Sequence, residues 1–302
     1  MLPEWAVVIY TCLTLLLIAF RWHAYPDLSA MLLLRAGALV AIALMWGAYY
    51  LRPCKLTMML RMLWLVVMLS WWYPDTYELN RILPNCDHFF AQAEQWCFGC
   101  QPALLFSQQW PQPFVSETLS LGYISYYPLI LMVMGYYFLR RYDQFEQACF
   151  VILASFFLFY TIFIFLPVAG PQFYYAAVGL DKIALGQFPE LHHYFMYHRE
   201  VLSAPGWEDG WFHYLVDIAH DAGERPTAAF PSSHVGITVE LWWLARAGRC
   251  RWLEVVVAVF LLLMFLATFY IMAHYVIDAI AGLFVGTLFF FLCQFLLGNR
   301  RL

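Results

Sequence analysis

Two histidines and an aspartate carry the sharpest chemical signal in this chain. His274 and Asp278 stand four residues apart in the run Ala273-His274-Tyr275-Val276-Ile277-Asp278-Ala279-Ile280-Ala281-Gly282. On a helix that spacing shares one face. The carboxylate then accepts from one imidazole nitrogen, fixes the tautomer and leaves the other nitrogen free to attack. The competing explanation is a structural His-Asp pair tying two helices together. His234 closes the run Phe230-Pro231-Ser232-Ser233-His234, in which a proline and two small hydroxyl residues suit a helix start. Free backbone N–H groups at such a start cradle a phosphate. Ser232 and Ser233 add donors, and His234 is held beside the same oxygens. An ionisable residue inside an apolar run is costly and points to function.

The elements that must position these residues are membrane spans. Only 12% of the 302 residues are charged, about half the share of a soluble domain, and the mean hydropathy is +0.66. The 27 Phe, 20 Tyr and 13 Trp form the aromatic load expected where rings settle at headgroup level. The pattern predicts an all-α integral membrane protein of about eight spans, near 5–20, 29–51, 56–72, 119–139, 147–166, 233–246, 253–272 and 275–297. Two long polar-aromatic loops, 73–118 and 167–232, interrupt them. A first part, 1–118, comprises the N-terminal spans and an outer interfacial loop; a second part, 119–302, is the catalytic membrane domain. The apolar N-terminus reads as a retained span rather than a signal peptide.

Charge gives the orientation. Arg52, Lys55, Arg61, Arg140, Arg141, Arg246, Arg249, Arg251, Arg300 and Arg301 fall in or beside the short connections and at the C-terminus. The positive-inside rule places both termini in the cytoplasm and both long loops outside. His234 and His274 then share the outer face despite their separation in sequence. A formal net charge of −4 with no basic stripe argues against a nucleic-acid partner. The cysteines show no zinc pattern; Cys97 and Cys100 form either a local disulfide or plain loop thiols. The His-, Tyr- and Trp-rich stretch 192–213 reads as a headgroup pocket or as an ordinary aromatic belt.

Pro231-Ser232-Ser233-His234 and His274 through Gly282 resemble the second and third signatures of the type 2 phosphatidic acid phosphatase (PAP2) superfamily, most of all its bacterial, inositol-phosphorylceramide-synthase-like branch. The resemblance covers about residues 119–297 and implies a PAP2-like helical core in a bacterial plasma membrane, with the active site facing the periplasm or exterior. It implies that His274 attacks phosphorus, Asp278 orients it and His234 protonates the leaving oxygen and later activates water, with no metal and no cofactor. The pattern departs from the family at two places. Thr268 stands where the third signature carries arginine, and the first signature is not found whole; Pro167-Val168-Ala169-Gly170-Pro171-Gln172 occupies its place.

The expected activity is hydrolysis of a lipid phosphomonoester or pyrophosphate through a phosphohistidine, with the lipid phosphate and bilayer lipids as partners. The alternatives are a lipid phosphotransferase resembling inositol phosphorylceramide synthase and a non-catalytic lipid-binding or transport protein. Ser232, Ser233, Arg225 and Gln172 are expected around the phosphate, with Arg225 standing in for the missing clamp. His213, Tyr270, Tyr174 and Arg199 are candidates for the substrate pocket.

Overall fold

The computed structural model is all-α and describes every residue except Met1, Pro26, Ala204 and Arg301; the expectation for Arg301 therefore lies outside the described residues. In chain order the helices are α1 (Leu2–Phe20), α2 (Leu28–Leu51), α3 (Lys55–Asn80), α4 (Asp87–Phe98), α5 (Pro102–Gln109), α6 (Pro113–Ile124) and α7 (Tyr126–Arg140). There follow α8 (Phe145–Phe165), α9 (Pro171–Val178), α10 (Leu180–Ala184), α11 (Trp211–Gly223), α12 (Ser233–Ala247), α13 (Arg251–Tyr270) and α14 (Val276–Leu297).

Six of these are long and apolar enough to cross a membrane, and α6 with α7 makes a seventh if the pair is one span bent by 47°. The bend has a local cause. Pro128 has no N–H to offer the Ile124 carbonyl, so the first helix stops and the next begins at Tyr126. The expected span at 233–246 is the 15-residue α12. At about 22 Å it is shorter than the roughly 30 Å hydrocarbon core. It need not meet lipid along its length, because nearly all of it is buried among α7, α8, α13 and α14. The third span runs further than its sequence pattern, continuing through Pro74 to Asn80.

The short basic connections gather at one end of the bundle. Lys55 lies over the Tyr142 ring at 5.0 Å, and Arg141 donates to the Gly248 carbonyl at 3.1 Å. Ion pairs inside the bundle tie the N-terminal helices to the rest. Arg61 on α3 bonds Glu4 on α1 and Glu146 on α8, and Arg35 on α2 grips both Asp75 carboxylate oxygens at 3.1 and 2.6 Å.

At the opposite end α12 and α14 meet backbone to backbone. A Cβ on Gly282 would stand 2.5 Å from the Ser232 carbonyl oxygen, and one on Gly286 would collide with the backbone of Gly236. Only glycine allows this approach, and it brings the start of α12 beside the start of α14. Gly286→Ala is expected to force the helices apart, costing about 1–3 kcal/mol as overpacking does. The control is Gly135→Ala, where no atom lies within 4 Å of the added carbon. Thermal melts in detergent with equal midpoints for the two variants would contradict the close-packing argument.

Candidate functional site

His274 does not sit on a helix. It lies in the turn between α13 and α14, so helical spacing is not what relates it to Asp278. Its backbone N–H caps α13 by donating to the Thr268 carbonyl at 3.1 Å. Its Nδ1 meets the Ala229 carbonyl at 2.7 Å, whereas the nearer Asp278 oxygen is 3.8 Å away. The orienting hydrogen bond expected from Asp278 therefore goes to a backbone carbonyl, because Asp278 Oδ2 is engaged by the Tyr275 N–H at 2.8 Å, closing the first turn of α14. With Nδ1 as the donor, Nε2 is the free nitrogen. Burial holds the His274 pKa down at about 4, against the opposing effects of the Ala229 bond and the Glu224 charge. The ring is thus neutral at pH 7.

The backbone on both sides of this bond is unusual. Met272 and Ala228 adopt φ of 61° and 68°, a left-handed conformation that costs a non-glycine residue roughly 1–3 kcal/mol. The strain falls where the Nδ1–carbonyl pair is set.

His234 comes from the first turn of α12, with Ser232 as its N-cap accepting from the Val235 N–H at 3.4 Å. Its ring lies edge-on to His274 with centroids 5.8 Å apart. Tyr123 stacks on it at 4.7 Å and Tyr126 lies beside it at 4.5 Å. The His234 Nδ1 is buried without a hydrogen-bond partner. Thr268, where arginine was anticipated, is buried and turns its hydroxyl back to the Phe265 carbonyl at 2.9 Å.

Two carboxylates that sequence reasoning did not single out build the floor of the site. Asp87 and Glu94 lie seven residues apart on one face of α4, with Ala91 between them, and all three are buried. Asp87 accepts from the Ala169 and Gly170 N–H groups at 2.6 and 2.8 Å and from the Tyr275 hydroxyl at 3.0 Å. Glu94 Oε1 accepts from the Val276 and Ile277 N–H groups at 2.6 and 3.2 Å, capping the helix that carries Asp278. The only trace in the sequence is an acidic pair at i and i+7 in a short amphipathic segment. Burial, reinforced by the Asp278 charge, raises the Glu94 pKa to about 8.

A cavity of about 520 Å³ opens from His234. Its walls are the apolar side chains of α3, α7 and α8, including Leu63, Val67 and Leu131 on the exposed flank of the bundle. Its polar end is formed by Ser233, His234, His220 and Glu224, and among the described residues no Lys or Arg lines it.

The other candidates separate into two groups. Gln172 is close: its side chain donates to Glu224 Oε1. Arg225 follows the cavity-lining Glu224 in sequence but is not itself in the lining, and it donates Nη1 to the Glu224 carbonyl at 2.7 Å. The remaining four do not line the cavity. His213 lies buried two turns before His220 on α11, 3.6 Å from Asp217. Tyr270 donates to the Trp110 carbonyl at 2.9 Å and Tyr174 to the Pro189 carbonyl at 2.8 Å. Arg199 covers the Tyr77 ring at 4.8 Å. Cys97 and Cys100 are free thiols, and among the described residues no three His, Cys, Asp or Glu side chains gather as a metal set.

Comparison with known proteins gives one match. The family model described as PAP2 superfamily matches residues 88–292, more than half of the chain, from the start of α4 to late in α14. No curated protein matches, and no solved structure matches.

The Glu94 cap predicts a pH-dependent stability. A carboxyl whose folded pKa of about 8 exceeds its ordinary 4.5 keeps its proton in the folded state after the unfolded chain has lost it. Stability from this group is therefore full below pH 4.5 and is lost as pH rises towards 8. Glu94→Gln is expected to flatten that part of the pH–Tm curve. An unchanged slope between pH 5 and 8 would refute the assignment.

Proposed function

The chain belongs to the PAP2 superfamily, and from that premise we propose that it is a membrane lipid phosphatase acting through a phosphohistidine on His274. The observation that carries this reading is the pairing of two imidazoles, 5.8 Å apart, of which His234 lines the polar end of an apolar cavity whose flank is exposed on the side of the bundle. A phosphate on a lipid alcohol fits that polarity: the headgroup meets the histidines and the chain occupies the apolar walls.

In this mechanism the free Nε2 of His274 attacks phosphorus. The P–O bond to the lipid alcohol breaks, and His234 supplies the proton to the leaving oxygen. Water then displaces His274, the P–N bond breaks, and phosphate departs. A neutral His274 is the form that attacks, and its depressed pKa keeps it so through the physiological range. Asp278, 3.8 Å from Nδ1, stabilises the positive charge that the ring gains when Nε2 is phosphorylated. Ser232, Ser233 and the N-terminus of α12 receive the phosphate oxygens, with Gln172 at the rim and Arg225 as the nearest cation in sequence. His213, Tyr270, Tyr174 and Arg199 act at most on the shape of the outer loops.

The catalytic unit is taken as 119–302 together with α4. The gathered basic connections support placing both termini in the cytoplasm and the site on the outer face of a bacterial plasma membrane. A second reading, transfer of the phosphoryl-bearing group to an alcohol, is favoured by one observation: the wall beside His234 carries Glu224, a better acceptor for hydroxyl protons than for phosphate oxygens.

The deciding assay offers the purified protein phosphatidic acid, phosphatidylglycerophosphate, an isoprenyl pyrophosphate and a phosphosphingolipid, with and without alcohol acceptors. Phosphate release that falls at least about 10³-fold in His274→Ala is expected. Turnover that survives this substitution would remove the mechanism, and a labelled headgroup moved intact to an alcohol would favour transfer. For the active substrate, the acid limb of kcat/KM is expected where His274 protonates, near pH 4. An acid limb near pH 6.5 in place of one near pH 4 would contradict the buried, neutral ring.

A further inference from the structure

A second imidazole–carboxylate pair lines the same cavity. His220 and Glu224 are neighbours on the last turn of α11 and the residue after it, with His220 Nε2 3.1 Å from Glu224 Oε2. Both side chains are mostly buried, at 16% and 18% exposure. The Nε2 makes no hydrogen bond, and the contact with Glu224 is an ion-pair distance rather than an aligned bond. Glu224 itself is fixed from two sides, its Oε1 by the Gln172 amide and its carbonyl by Arg225. The Tyr123 ring meets His220 edge-on at 5.8 Å and stacks on His234 at 4.7 Å, so one aromatic spacer separates the two imidazoles.

This arrangement differs from that of His274. The Nδ1 of His274 is satisfied by a carbonyl and its ring is buried, which suits a nucleophile. His220 turns its buried Nε2 to a carboxylate and leaves Nδ1 as the second nitrogen, which suits a group that must take up a proton and be stabilised as a cation. A carboxylate on the wall of a phosphate site would repel substrate if it stood alone, whereas a carboxylate paired with an imidazole that becomes cationic is part of a base.

We propose that His220, supported by Glu224, is the base that activates the acceptor in the second half of the reaction, leaving His234 to serve the leaving alcohol. This rests on the phosphohistidine reading above. The acceptor, water or an alcohol, gives its proton to His220 Nδ1 as its oxygen bonds to phosphorus, while Nε2–H faces Glu224. The P–N bond to His274 breaks, and its electron pair returns to Nε2 of His274. Glu224 holds the imidazolium until exchange with solvent returns His220 to neutral and His234 to its protonated form. Gln172 is a positioning residue, acting through Glu224.

The test separates the two half-reactions in the full-length protein, using phosphatidic acid labelled at phosphorus. Alkaline quenching preserves phosphohistidine, so labelled protein, diacylglycerol and free phosphate are followed together. In His220→Asn the first turnover of diacylglycerol is expected to persist, with labelled protein accumulating and phosphate release slowed about 10²-fold or more. Added imidazole is expected to restore release in this variant and to do nothing for His274→Ala. A milder slowing of release alone is expected in Glu224→Gln and in Gln172→Ala. If the wild type labels and turns over while His220→Asn releases phosphate at the same rate, or loses both steps equally with no rescue by imidazole, the role of His220 is overturned and the phosphatase reading stands. If the wild type neither labels nor releases phosphate, the phosphatase reading falls and this proposal falls with it.

Discussion

The structure depends on how the turn between α13 and α14 is satisfied. A helix that starts inside a protein leaves its first N–H groups without intrahelical partners, and within a membrane protein there is no bulk water to supply them. Here the start of α14 is served by two carboxylates: Asp278 turns back to the Tyr275 N–H, and Glu94 reaches across from α4 to Val276 and Ile277. Asp87 on the same face of α4 fixes the Tyr275 hydroxyl and the Ala169–Gly170 backbone. One short amphipathic helix thus anchors both the chain leaving α8 and the chain entering α14. His274 is placed by consequence, suspended between the Thr268 carbonyl at its N–H and the Ala229 carbonyl at its Nδ1.

The same economy explains why a site for phosphate is lined by acids. Asp87 and Glu94 are spent on backbone N–H groups, and Asp278 is partly so. Only Glu224 faces the cavity, and it stands 3.1 Å from an imidazole. The positive potential available to a bound phosphate then comes from the start of α12, whose aligned peptide dipoles favour an anion. The buried Thr268 bonds its hydroxyl back into its own helix and supplies no cation beside His274.

How much of this could be read from the sequence depends on the range of the interaction. Pro231 through His234 and His274 through Asp278 were legible because their chemistry is local in sequence and rare in an apolar chain. The helical class was legible from hydropathy alone. The expected eight spans become six long helices, or seven with the bent pair, because α12 is sheathed by neighbours and is not obliged to match bilayer thickness. Asp87 and Glu94 were illegible for a different reason. They act on backbone groups more than 80 and more than 180 residues away, and a backbone N–H leaves no mark in the sequence to announce its partner. His220 and Glu224 had the right i, i+4 spacing, but without the cavity they are indistinguishable from a solvated pair on an amphipathic helix.

The replacement of a carboxylate by a carbonyl at Nδ1 of His274 bears on the chemistry as well as the geometry. A carbonyl orients the imidazole and fixes its tautomer without raising its proton affinity as strongly as an ionised partner would. Together with burial, that keeps the ring neutral and its Nε2 lone pair available. In the mechanism proposed above, the ring would become cationic as Nε2 bonds to phosphorus. The Asp278 carboxylate at 3.8 Å then gains an attraction it lacked in the resting state. Differential stabilisation of this kind, weak before bond formation and stronger after it, is what lowers a barrier. The left-handed Met272 and Ala228 flank the Nδ1–carbonyl bond, and the glycine contact between α14 and α12 keeps the His234 ring 5.8 Å from that of His274.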